Sequence, residues 1–149
     1  MPTTTIRADA VSAIRTVLLA RKTTSPTLLR AVYNSRPGSF PETPCAYIAG
    51  RSESISYSAQ TVERLLTGLE VVVVDTLIDA SETGDRMDVL VDLLFDDFVA
   101  AYNTMNAGAG LLQLTGITDT DVVLAGEQPV TYRGAIFSFA LTFVRVGRA

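Results

Sequence analysis

Apolar side chains recur at Ile6, Ala10, Ala13, Ile14, Val17 and Leu18, every third or fourth position up to Arg21. That spacing puts them on one face of an amphipathic helix, and Thr3–Thr5 offer N-cap oxygens ahead of it. Ser25-Pro26 interrupts the pattern, and Thr27–Tyr33 is expected to add one short helical turn. Asn34–Pro44 then holds three prolines and a glycine in eleven residues, which no regular element tolerates. This segment reads as an exposed loop whose one large apolar side chain, Phe40, either tucks back onto the core or meets a partner.

Pro44–Gly50 reads as a short strand, whereas Ser52–Leu66 has no firm period. Gly68–Ile78 contains four consecutive valines, Val71–Val74, and is predicted to be a strand. A run apolar on both sides is covered on both faces, or has one face on the core and the other in an interface. Ala80–Gly84 is expected to be a turn with Ser81 and Thr83 as cap residues, followed by Asp85 where the helix dipole favours an anion. Asp85–Met105 is the best helical pattern in the chain. Its stripe is Met87, Leu90, Leu94, Phe98 and Tyr102, widened by Val91, Phe95 and Met105. At ~1.5 Å per residue such a helix spans about 30 Å.

Asn106–Gly110 ends that helix. Strands are predicted at Leu111–Thr115 and Val122–Ala125, separated by a turn around Gly116 and Asp119–Asp121. Gly126–Pro129 makes a hairpin connection to a long alternating strand, Val130–Val146. Its Ala135, Phe137, Phe139, Leu141 and Phe143 point to the core, and Ile136, Ser138, Ala140, Thr142 and Val144 point the other way, towards a neighbouring surface. The expected fold is a single α+β domain over residues 1–149. It has a mostly antiparallel sheet with a long central helix and an N-terminal helix packed on one face.

Composition narrows what such a fold does. The chain is 48% apolar and 19% charged, a globular profile. Its longest uncharged apolar stretch, Gly134–Val144, is about half the ~20 residues a membrane helix needs. The start of the chain shows no basic region followed by an apolar run, so a soluble cytosolic protein with no membrane association is expected. A net charge of −4 argues against gripping nucleic acid, which calls for a basic stripe. Arg15, Arg21, Lys22 and Arg30 are the nearest thing to a basic cluster and read as the solvated flank of the first helix.

The chain has no histidine and one cysteine, Cys45. Schemes that pair a Ser or Cys nucleophile with a His base are thereby excluded, as are most zinc sites and any intramolecular disulfide. Cys45 sits among apolar neighbours and reads as an inert, partly buried thiol. Asp88, Asp92 and Asp96 repeat at i, i+4 and i+8 on the long helix, with Asp85 and Asp97 near. One rod offering only carboxylates is a poor cation site, so these aspartates read as a solvated or salt-bridged face. Gly108 and Gly110 follow a helix instead of opening one, and the only lysine is Lys22, so no phosphate loop is present. Neither an enzyme nor a cofactor or metal site is expected.

Several stretches together carry a family likeness. They are the Pro-rich loop entering Pro44-Cys-Ala-Tyr-Ile-Ala-Gly50, the strand Leu69-Glu-Val-Val-Val-Val-Asp75, the long acidic helix, and the closing hairpin from Asp121 to Phe143. On these the chain resembles the tail terminator, or tail-completion, proteins of long-tailed lambda-type bacteriophages. The resemblance implies a ring of six subunits at the neck end of a virion tail, assembled in the bacterial cytoplasm. Such a ring would cap the tail tube, end its polymerisation and offer a docking face to head–tail connector proteins. DNA would pass through without being bound specifically. Two different complementary faces per subunit are needed for such a ring, and an acidic lumen would let DNA slide. The interface candidates are Arg36, Phe40 and Glu42 in the loop and Asp88, Asp92 and Asp96 on the helix. Another connector, stopper or minor tail protein, a ligand-binding α+β domain outside phages, and a metal enzyme built on the aspartates are the alternatives.

Overall fold

A computed structural model describes residues 6–23, 29–50, 52–76, 80–105, 111–124 and 130–146. Three helices and six strands lie in these segments: α1 (Ile6–Thr23), β1 (Ala31–Tyr33), β2 (Cys45–Ala49), β3 (Ser52–Tyr57), β4 (Thr61–Thr76), α2 (Ala80–Ala100), α3 (Tyr102–Met105), β5 (Leu111–Leu124) and β6 (Val130–Val146). The sheet order is β1-β2-β4-β6-β5, with β3 also paired to β4, and every pairing is antiparallel except β1 with β2. The fold is therefore α+β with a mostly antiparallel sheet, as the periodicity predicts.

The two amphipathic helices bury their stripes on one face of this sheet. Ala10, Ile14, Val17 and Leu18 of α1 and Met87, Leu90, Leu94 and Phe98 of α2 join Val71, Val73, Phe137, Phe139 and Leu141 in one core. Phe98 anchors it, with its ring tilted on Phe137 at 5.7 Å and edge-on to Phe139 at 5.0 Å. Each fully buried side chain of this size contributes ~1.5–3 kcal/mol through the area it removes from water.

The chain itself covers part of the opposite face of the sheet. Residues 34–44, which include a cis Thr43–Pro44 bond, run across it. Phe40 drops onto the sheet, 6% exposed, stacked on Tyr47 at 6.0 Å and edge-on to Tyr132 at 5.0 Å. Ala31, Cys45, Val72, Val74 and Val122 complete this second cluster. The valine run of β4 is thus buried on both faces by its own chain, helices on one side and the loop on the other. Of the two readings of the valine run, coverage on both faces is the one observed, and Phe40 tucks back onto the core.

Several elements differ from the sequence-based expectation. Thr27–Tyr33 adds no helical turn over its described part: Ala31–Tyr33 is a strand parallel to β2. Ser52–Leu66 is a hairpin, in which Ser58 accepts from the Thr61 amide at 3.0 Å and its hydroxyl also meets the Thr61 hydroxyl. β4 begins at Thr61, not at Gly68, and β5 runs unbroken from Leu111 to Leu124, through the expected turn. Residues Ala80–Gly84 belong to α2, which stops at Ala100, so the pattern read as one helix is two. The proposed break at Ser25-Pro26, the helix end at Asn106–Gly110 and the hairpin at Gly126–Pro129 lie outside the described residues.

Two ion pairs tie the helices to the framework. Arg21 donates through Nε and Nη2 to the two carboxylate oxygens of Asp97, both at 2.7 Å, joining α1 to α2. Arg21 is buried, not part of a solvated flank. Its hydrogen bond to Asp97 raises its pKa, against the cost of burial. Asp75, 1% exposed at the end of β4, receives bonds from Arg86 of α2 at 2.8 and 2.6 Å and from the Thr76 amide at 2.8 Å. Replacing Arg86 with methionine strands that buried carboxylate. Because the arginine is itself partly in solvent, the expected loss is about 2 kcal/mol in urea unfolding, and Asp75→Asn in the same chain restores part of it.

Candidate functional site: an edge strand beside an apolar groove

The loop and helix residues singled out in the sequence are dispersed. Arg36 and Glu42 are exposed on the loop that crosses the sheet, and Arg36 donates to the Val123 carbonyl of β5 at 2.9 Å, fastening the loop to the far edge. Asp88, Asp92 and Asp96 are exposed along the outer side of α2, away from that loop. Asp97, their neighbour, is engaged with Arg21. Among the described residues no group of three or more acidic or Cys side chains is arranged to hold a metal ion. The six candidates therefore mark two surfaces and one core contact, not one site.

Cys45 is fully buried beneath the loop. Burial, with the Asp75 charge adding to it, pushes its thiol up to about 12 from 9.0. The folded protein thus keeps a proton that the unfolded chain releases above pH ~9. The protein loses stability as pH rises through that window, by at most about 1.4 kcal/mol per pH unit from this group. Urea unfolding between pH 8 and 10.5 should show a shallower decline in Cys45→Ala than in the parent chain. Equal slopes would show that the Cys45 thiol does not contribute to this decline.

What the fold does bring together is an edge and a groove. β5 is the last strand of the sheet, 14 residues long, with β6 as its one partner strand among the described residues. Long edge strands offer backbone donors and acceptors to another chain. On the helix side of the sheet, Phe95, Phe98, Val99, Tyr102 and Met105 face Leu114 and Ile117 across a groove of about 660 Å³. Phe95 and Val99 are 42% and 57% exposed there, although the helical periodicity assigns Phe95 to the buried stripe and counts Tyr102 with it. For Tyr102 the reason is local: α2 ends at Ala100, and a turn at Ala101 interrupts the helical line before it.

β3, which flanks the first part of β4 on the side away from β6, carries a second exposed apolar pair. Ile55 and Tyr57 of β3 are 53% and 68% exposed. Glu53, on the same side of β3, binds Arg64 at 2.7 Å and lies 3.6 Å from Arg7 of α1. Glu53 is opposite Leu66, a core residue under the helices, so Ile55 and Tyr57 also lie on the helix side. No periodicity argument finds these surfaces, because each depends on which strands become the outer ones. No family model matches the chain, and no curated protein matches it.

Proposed function

We propose that this chain is a structural assembly protein that forms a ring on a phage tail tube, ends tube polymerisation and presents a docking face to head–tail connector proteins. The observation that carries the reading is the pair of exposed apolar surfaces at opposite edges of one sheet. A closed ring needs two different faces per subunit, and exposed apolar patches of this kind mark interaction sites. In this reading α2 is the central helix that backs the sheet, with α1 beside it, and the outward aspartates Asp88, Asp92 and Asp96 lend the ring negative charge. That charge disfavours contact with DNA phosphates and so suits a passage through which DNA slides. The chain works without catalysis, cofactor or metal.

Tube growth followed by light scattering tests the proposal. Added to polymerising tube protein from the virus that carries it, the chain should halt growth at far fewer copies than there are tube subunits. Growth that continues at the same rate would remove the terminator role. Binding to head connector proteins without any effect on tubes would favour a stopper or connector instead.

A further inference from the structure

We infer that β3 of one copy adds, antiparallel, to the outer edge of β5 in the next, with Ile55 and Tyr57 seated against the groove beside Ile117. The inference rests on the self-assembly part of the proposed function, and on neither the tail nor the tube. Direction follows from topology alone. β3 is antiparallel to β4, β4 to β6 and β6 to β5, so β3 runs antiparallel to β5 within one subunit. Placing copies side by side about an axis along the strands preserves those directions, and the incoming β3 meets β5 as an antiparallel partner.

The faces match as well. Ile55 and Tyr57 lie on the helix side of β3. Ile117 lies opposite Phe137 and Leu114 opposite Phe139, which puts the groove on the helix side of β5. A continuous sheet therefore brings apolar residues against apolar residues on that side. On the other side it brings Ser52, Ser54 and Ser56 next to Gln113, Gly116 and Thr118, small or polar residues on both strands. Residues 111–118 of β5 carry no charge, and the single charge of β3, Glu53, already has Arg64; Asp119, the next helix-side residue after Ile117, lies just beyond that stretch. Backbone bonds supply affinity in such strand additions, and alternate side chains in a groove supply specificity. Because the two edges differ, the contact is heterologous and propagates from copy to copy.

Complementation of two broken edges provides the test. Ile55→Asp spoils β3 and leaves the groove intact; Val99→Asp spoils the groove and leaves β3 intact. Both positions are exposed in the single subunit, so circular dichroism and melting temperature should match the parent, which checks folding. By sedimentation velocity at high protein concentration the parent chain should form a discrete oligomer. Each variant alone should be monomeric, its association weakened roughly 100-fold or more by the carboxylate placed in an apolar contact. Mixed, the two should give a heterodimer and nothing larger, joined by the intact β3 of one and the intact groove of the other. A monomeric parent, variants that still assemble, or a mixture that stays monomeric would each overturn the β3–β5 contact. Heterodimers from a chain that leaves tube growth unchanged would keep this contact and refute the terminator role.

Discussion

Phe137→Ala should lower the unfolding free energy by about 3–5 kcal/mol, the cost of emptying a phenylalanine site in a close-packed core. Phe137 sits on β6, which has partners on both sides, so the surrounding backbone is held by hydrogen bonds and cannot collapse into the space. Its ring is fully buried against Phe98, the residue through which α2 grips the sheet. Truncation therefore removes apolar burial and leaves a cavity under the helix as well. For a domain of this size the loss corresponds to a fall in melting temperature of roughly 10 °C or more. Phe137→Leu, which keeps most of the volume, should recover more than half of it in the same denaturation experiment. A loss below about 1 kcal/mol for the alanine variant would mean that α2 does not pack on this strand as described.

The second large effect belongs to a glycine. Gly50 joins β2 to β3 with φ of 67°, and a Cβ built there would lie 1.8 Å from the Gly68 carbonyl oxygen. Gly68, φ 79°, occupies the irregularity between Leu66 and Leu69 where β4 passes from pairing β3 to pairing β2. The two glycines thus let the chain turn from one partner segment to the next against a shared strand. For Gly50→Ala the left-handed conformation alone costs roughly 1–2 kcal/mol. The overlap with a backbone oxygen forces the strands apart, so a total of about 3 kcal/mol or more is expected in thermal or urea unfolding. Gly68 has open space around its missing Cβ, so Gly68→Ala should carry only the conformational cost. Similar losses for the two variants would refute the close approach at Gly50. Because β3 is the strand assigned to the subunit contact, Gly50→Ala should also weaken self-association, which sedimentation of the variant below its unfolding temperature would reveal.

The helices are legible in the sequence because their periodicity is one-sided. Ala10, Ile14, Val17 and Leu18 are spaced for one face, and that face is buried. Periodicity does not state where a stripe stops being covered, and so Phe95 and Tyr102 are assigned to the core although both remain exposed. Strand limits are less legible. Thr115-Gly-Ile-Thr-Asp-Thr-Asp121 has the composition of a turn, yet an edge strand with solvent on much of its surface tolerates such residues. Thr61–Leu66 is extended because β6 and β3 flank it, partners that are remote in the chain or themselves ambiguous. β1 has only three residues, too few for any pattern, and exists through its register with Cys45–Tyr47.

The candidate surfaces are the least legible part. Arg36, Glu42 and the three outward aspartates are indeed on the surface, but charge and loop position alone do not assemble them into a site. Phe40 illustrates the limit most clearly. Its neighbours in sequence, Ser39 and Pro41, belong to a loop, and only the crossing of that loop over β2 and β6 explains why its ring is buried on Tyr47 and Tyr132. Conversely, Ile55 and Tyr57 stand in a stretch without a firm period and acquire meaning once β3 and β5 are known to be outer strands.

Electron microscopy of tail tubes assembled from purified tube protein, with and without this chain, decides whether it caps tubes. Tubes formed with it should end in a ring of added density at one end and stop lengthening, and Ile55→Asp should abolish both effects. Tubes with bare ends that grow alike in its presence and absence would contradict it.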